Sequence, residues 1–289
     1  KDALSSMKEN ATTGTVEVPV VLDVILSVSK DENVYTLEAK NTLGEPVYAK
    51  DLYRAGNVTV TVPYAEPTAY VYYLSANDPV PLPDENVNIS DGYLSWTVDH
   101  FSDYAVLSGE AVASVTDKNG KVTPYDSLQA AINAAGEKAT VTLLQDTQED
   151  INISNGKDIV LELNGKKITN STATHTITVA LGGKLTVQDT VGGGIVDNVS
   201  HGCAAIWNNG TTVLNGGKYD RSLENGLSSS DPGGNSYYVL VNHGKMEINK
   251  GVTVEQNGHF SSMIENGYYS YNSDNPSSGY VPDTNEVNP

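Results

Sequence analysis

A glycine set between two short strands of alternating apolar residues recurs along the second half of the chain, and no other feature limits the fold as much. Ile177-Thr178-Val179-Ala180-Leu181-Gly182-Gly183-Lys184-Leu185-Thr186-Val187 is one copy. Residues 204–214, 238–248 and, more weakly, 262–271 follow the same plan, and 151–156 opens the series. The anchors Gly183, Gly210, Gly244 and Gly267 stand 27, 34 and 23 residues apart. One rung of three short strands with its turns needs about 20–30 residues. The longest interval carries a loop-like insertion, 228–235, made of Ser, Asp, Pro, Gly and Asn. A second glycine marks each copy (Gly165, Gly194, Gly217, Gly251), and Ile168, Val196, Tyr219 and Val254 behind it are predicted to point inward. Units that cannot bury an apolar face alone must stack. The segment 110–271 therefore reads as a right-handed parallel β-helix.

A helix signal stands just before the repeat. Asp126 or Ser127 can cap it, Leu128, Ala131, Ile132 and Ala135 share one face, and Gly136 stops it. A short capping helix at this place would cover the first rung's open core and unpaired edge. Helix and repeat together resemble the pectin-lyase-like right-handed β-helix superfamily over about residues 125–271, with Ser127-Leu128-Gln129-Ala130-Ala131-Ile132 as its usual start. The resemblance implies a fold and no activity, because that fold carries lyases, hydrolases, adhesins and phage spikes alike.

Upstream, the period-2 stretches at 16–28, 34–39, 58–62, 70–74, 87–89 and 93–98, with a hairpin signal at Asp91-Gly92, predict a β-sandwich over 15–109. The stretch Thr97-Val98-Asp99-His100-Phe101-Ser102-Asp103-Tyr104-Ala105-Val106 resembles the closing signature of a module in surface proteins of Firmicutes and related gut bacteria. Val58 to Val62, Pro63 and Tyr70 to Leu74 match its earlier part. That resemblance implies a bacterial cell-surface, adhesin-like setting and an architectural role. His100 is read as a structural residue beside Phe101. Residues 1–14 read as a linker and 272–289 as a tail. The predicted class is thus all-β: an N-terminal β-sandwich, then a parallel β-helix with a capping helix at its start.

Charge narrows the partners. The chain carries 36 acidic against 17 basic residues, a net −19. Nucleic acid and anionic lipid would be repelled, so an extracellular glycan or a host or microbial surface protein is the expected partner. No run of 18 apolar residues exists, so no membrane insertion is expected in this segment. Cys203 is the only cysteine and is read as core packing.

Aligning the second strands of the copies stacks Thr169, Asp197, Asp220 and Glu255 in one column, with Asn170, Asn198, Arg221 and Gln256 beside it. Alternation predicts the three acids on a solvated outer face about 5 Å apart, rung to rung. Paired carboxylates at such spacings serve glycosidases, and a carboxylate cluster also suits Ca²⁺. Asp197, Asp220, Arg221 and Glu255 are accordingly the candidates for a ligand or cation. No catalytic residue and no dedicated metal ligand is assigned: His175, His201, His243 and His259 share no zinc spacing, and Ser200-His201-Gly202 only echoes a hydrolase motif. Asn208 and Asn242 fit an asparagine ladder. Tyr237, Tyr238, Tyr268, Tyr269 and Tyr271 suit either end packing or a sugar platform.

The preferred reading is a non-catalytic structural or adhesive bacterial surface protein, extracellular, presenting its β-helix to a ligand and needing no cofactor. The alternatives are a carbohydrate-active β-helix enzyme working at the Asp197/Asp220 face, and a glycan-binding module without catalysis.

Overall fold

The computed structural model describes residues 24–46, 58–75, 79–98, 101–223, 238–256, 263–267, 269–271 and 280–282. His100, His259, Tyr237, Tyr268, the 228–235 insertion and the segment 1–14 lie outside the described residues, as does most of 272–289. The molecule is all-β, 51 % strand against 5 % helix.

The first part is antiparallel. One sheet runs in the order β1 (Val24–Asp31), β2 (Val34–Asn41), β8 (Asp103–Leu107), β4 (Tyr70–Leu74), β5 (Pro79–Pro81). The other orders β3 (Val58–Pro63), β7 (Tyr93–Val98), β6 (Val87–Ser90). Both contribute to a single apolar cluster, since Tyr35, Val71 and Tyr104 from one meet Val60, Leu94 and Trp96 from the other. Asp91 and Gly92 take φ of +53° and +79° between β6 and β7, the paired left-handed backbone that a two-residue hairpin needs.

The second part contains two parallel sheets and a third that is parallel over its last five strands. Each rung gives one strand to each sheet. The rungs are β11 (Ala139–Leu143), β12 (Thr147–Gln148), β13 (Ile151–Ile153); then β14 (Asp158–Glu162), β15 (Lys167–Thr169), β16 (Ile177–Val179); then β17 (Lys184–Gln188), β18 (Ile195–Asp197), β19 (Ile206–Asn208); then β20 (Thr211–Leu214), β21 (Lys218–Arg221), β22 (Leu240–Asn242); and finally β23 (Lys245–Ile248), β24 (Thr253–Gln256), β25 (Ile264–Asn266). Register keeps like residues in columns. Ile151, Ile177, Ile206, Leu240 and Ile264 pair in sequence. So do Ile168, Val196, Tyr219 and Val254. Ile168, Val196 and Tyr219 are fully buried and Val254 packs on the same cluster, the inward set that alternation requires.

The anchor glycines have a steric reason. A Cβ on Gly183 would stand 2.7 Å from the carbonyl oxygen of Ile153, and one on Gly210 or Gly244 would strike the backbone of the preceding rung. Corners of successive rungs lie too close there for any side chain. The Asn208 and Asn242 ladder forms and extends one rung: Asn208 donates to Asn242 Oδ1 at 2.7 Å, and Asn242 to Asn266 Oδ1 at 2.6 Å. Asn208 Oδ1 also accepts from the Gly210 N–H, and Asn242 Oδ1 from the Gly244 N–H.

The helix α1 (Leu128–Ala134) is capped by Ser127, whose Oγ accepts from the Ala130 N–H. Leu128, Ala131 and Ile132 join the cluster that contains Ile151 and Ile153. Glu149 completes the helix start by accepting from Leu128 N, Gln129 N and Ser127 Oγ. Burial alone would raise this carboxyl, but those donors hold it below its usual range. One expectation needs correction. The open edge at β11 is paired antiparallel by β9 (Ala113–Thr116), which hairpins with β10 (Val122–Tyr125), so the helix covers core while a hairpin covers the edge. The two parts are joined by an ion pair of Lys121 with Asp103 at 2.7 Å and by a bond from Asn33 Nδ2 to the Pro124 carbonyl at 3.1 Å.

Candidate functional site

The acid column is real in register. Thr169 pairs with Asp197, Asp197 with Asp220, and Asp220 with Glu255. Its environment differs from the expected solvated face: Asp197 is 0 % exposed and Asp220 7 %. The reason is a second column two residues upstream, on the same face of each strand by the period of two. Lys167 Nζ reaches Asp197 at 2.7 Å. Lys218 Nζ lies 2.8 Å from Asp220 and 2.7 Å from Glu255, so one ammonium spans two rungs. Asp197 also accepts from Ser222 N and Oγ at 2.9 and 2.6 Å. Burial works to raise the Asp197 carboxyl, yet the Lys167 and Ser222 hydrogen bonds outweigh it and hold the group below its usual range. The carboxylates on Asp220 and Glu255 push the Lys218 ammonium up.

Arg221 does not join this face. It is fully buried, and its Nη2 donates to the Ser200 carbonyl at 3.3 Å. Its own N–H is taken by Asp220 Oδ1 at 2.8 Å. The structure thus brings Asp197, Asp220 and Glu255 together and turns Arg221 away from them, toward the corner where Asn198 satisfies Thr174 and Ala204 carbonyls. Among the described residues, no three His, Cys, Asp or Glu side chains are arranged to hold a metal ion. Chemically the column is a row of three carboxylates, each already paired with one of two lysines.

One cluster was not anticipated. Trp207, on the outer side of β19, lies against His175, stacked with ring centroids 4.5 Å apart, and meets His243 edge-on at 4.8 Å. His243 Nε2 lies 3.2 Å from Glu265. His175 Nδ1 accepts the Ala204 N–H at 2.9 Å, so the neutral ring carries its proton on Nε2. Burial, then the charge of Arg221, pushes its pKa down. Two aromatic neighbours already occupy Trp207, which makes it a packed knot rather than a bare platform. Of the tyrosines proposed as a platform, Tyr238 is half-buried; the side chains of the others are outside what is described. Cys203 is only partly buried, in the turn before β19, because the strand begins three residues later at Ile206.

Compared with protein-family models, curated proteins and solved structures, the chain gives no match.

Proposed function

We propose that the chain is a non-catalytic structural or adhesive protein of a bacterial cell surface. In this reading the antiparallel part is a β-sandwich module, and the parallel part is a right-handed β-helix with α1 as its cap. The β-helix presents its outer faces to an extracellular glycan or a surface protein. The observation that carries the non-catalytic reading is the internal use of the acid column. General acid–base work needs carboxyls that substrate can reach and whose protonation can change near neutral pH. Asp197 is buried and held ionised by Lys167 and Ser222, and Asp220 shares Lys218 with Glu255. The −19 net charge supports an uncharged or cationic partner over an anionic one.

The test is incubation of the whole chain with pectic, host and algal glycans, following product release and binding separately. The expected outcome is retention of some glycans with no chain cleavage. Turnover that disappears in Asp220→Asn would overturn the reading in favour of a carbohydrate-active enzyme.

A further inference from the structure

We propose that the open end of the parallel part, at β23, β24 and β25, is an interface for a second copy of this chain, paired through the free edge of β23. It does not depend on the adhesive reading. Each sheet of the parallel part ends on one of these strands, with no strand beyond it among the described residues. At the other end the β9–β10 hairpin covers the edge of β11. Here the hairpin of β26 (Tyr269–Tyr271) and β27 (Tyr280–Pro282) pairs only within itself. A steric rule keeps the coil from adding a further rung. A glycine directly precedes β17, β20 and β23, and it follows Asn208 and Asn242 by two residues, as Gly210 and Gly244. The matching place after Asn266 is Tyr268, because the glycine there comes one residue early, at Gly267. A Cβ on Gly244 would strike the Gly210 carbonyl oxygen, so a chain with tyrosine in that place cannot repeat the corner. The edge of β23 is left as a template for another strand.

Charge complementarity on β23 selects a second copy as the occupant. Of the strand lysines in the parallel part, Lys167, Lys184 and Lys218 each form an ion pair with an acid of their own or a neighbouring rung. Lys245 forms none among the described residues: Thr211 stands beside it in the preceding rung, and no strand follows. Glu247 lies two residues on, on the same outer face, and accepts from the Asn249 amide alone, at 2.9 Å. A two-fold axis through Met246 pairs β23 antiparallel with its own copy and sets Lys245 opposite the second copy's Glu247, twice over. Opposite charges directly across a strand pair attract, and like charges there destabilise it. In that register Met246, which packs on the core, meets itself, and Ile248 falls opposite Gly244, which has no side chain to collide with. Ile248, Met263 and Ile264 are all exposed at this end of the single chain, an apolar patch that a second copy would shield from water. The net −19 on each copy opposes association, so the dimer is weak and the chain is monomeric when dilute.

The experiment is sedimentation velocity on the full chain from about 1 to about 300 µM, with Lys245→Glu, Glu247→Lys and the double exchange of both residues. A monomer that passes to a dimer, and no further, is expected for the natural sequence. Each single exchange sets like charges across the joint and should weaken dimerisation about ten-fold or more. The double exchange restores opposite charges in the same register and should restore the dimer. All three variants should melt at the unchanged temperature when dilute, since both side chains are exposed in the monomer. Amides of β23 should gain hydrogen-exchange protection as concentration rises. A chain that stays monomeric throughout, growth beyond the dimer, single exchanges that dimerise as well as the natural sequence, or a double exchange no better than the single ones overturns the proposal. So does protection of β23 that is the same at every concentration, because the chain's own β26–β27 hairpin would then cover the edge.

Discussion

The antiparallel part concentrates its core in one knot, whereas the parallel part spreads its core along five rungs. In the first, Trp96 is fully buried, with Tyr35 edge-on at 5.5 Å and Tyr104 at 6.3 Å. In the second, the same inward position is filled again and again by Ile151, Ile177, Ile206 and Leu240. A concentrated core fails at one residue. A repeated core fails locally, because each rung contacts only its neighbours. The chain's only two tryptophans fall one in each part, Trp96 and Trp207, so single-tryptophan variants report on the two separately.

The largest effect should therefore come from Trp96→Ala. Removing so large a buried ring costs about 3–5 kcal/mol. Fluorescence of Trp207 would show the parallel part unfolding at its original denaturant concentration, while circular dichroism shows an earlier transition for the rest. A common shift of both transitions would make the molecule one cooperative unit, and the comparison would fall.

Gly210→Ala sharpens the contrast from the other side. Its new Cβ would collide with the Gly183 and Ala180 carbonyl oxygens, and backbone cannot give way as a side chain can. Overpacking of this kind costs about 1–3 kcal/mol. Gly92→Ala in the β6–β7 hairpin meets nothing within 4 Å and suffers only from φ +79°, about 1 kcal/mol. Urea melts of the two variants should rank them in that order. The same glycine type is thus kept for space in one part and for backbone freedom in the other.

These glycines also mark what the sequence made legible. Spacing of Gly183, Gly210 and Gly244 revealed the repeat, and alternation placed Val196 and Tyr219 inward, but the expectation that the opposite set stays solvated failed for Asp197 and Asp220, which are buried on their own face. Asn208 and Asn242 could be read as a ladder from their shared offset before the glycine. What was missed is what period-2 reading treats as a neutral surface. Lys218 stands two residues before an acid of its own strand, in Lys218-Tyr219-Asp220, whereas Lys167 stands two before Thr169 and has no acid in its own strand. Only the rung-to-rung offset shows that Lys167 serves Asp197 of the next strand. Glu149 at the helix start and the His175–Trp207–His243 knot join residues 20 or more apart, at distances no local pattern encodes.

Lys167→Met tests that missed column. It leaves the Asp197 carboxylate buried with Ser222 alone. Because Lys167 is 38 % exposed, solvent screens the pair and the loss at neutral pH should be about 1–2 kcal/mol. The sign with pH follows from the depressed Asp197 pKa. Its contribution is complete above the unfolded carboxyl value near about 4 and fades as pH falls through the lower folded value. Without Lys167 burial dominates and the carboxyl rises, so acid unfolding should begin at higher pH. Melting temperatures between neutral and acid pH check this, and Asp197→Asn in the same chain should remove the difference.

The smallest effect belongs to the last rung. Ile264 occupies the same column as Ile177, yet Ile264 is 42 % exposed and Ile177 fully buried. Met263 and Ile248 beside it are likewise exposed, at 47 % and 41 %. Ile177→Ala should cost about 2–5 kcal/mol, since it opens a cavity between filled rungs. Ile264→Ala removes carbon that water already reaches, and the area term alone predicts less than about 1 kcal/mol. Hydrogen exchange separates the two. Amides of β16 and β19 should lose protection in Ile177→Ala, whereas Ile264→Ala should change only β25 and its neighbour β22. Equal losses from both substitutions would mean that the last rung carries as much load as the inner ones, and that a repeated core here does not fail rung by rung.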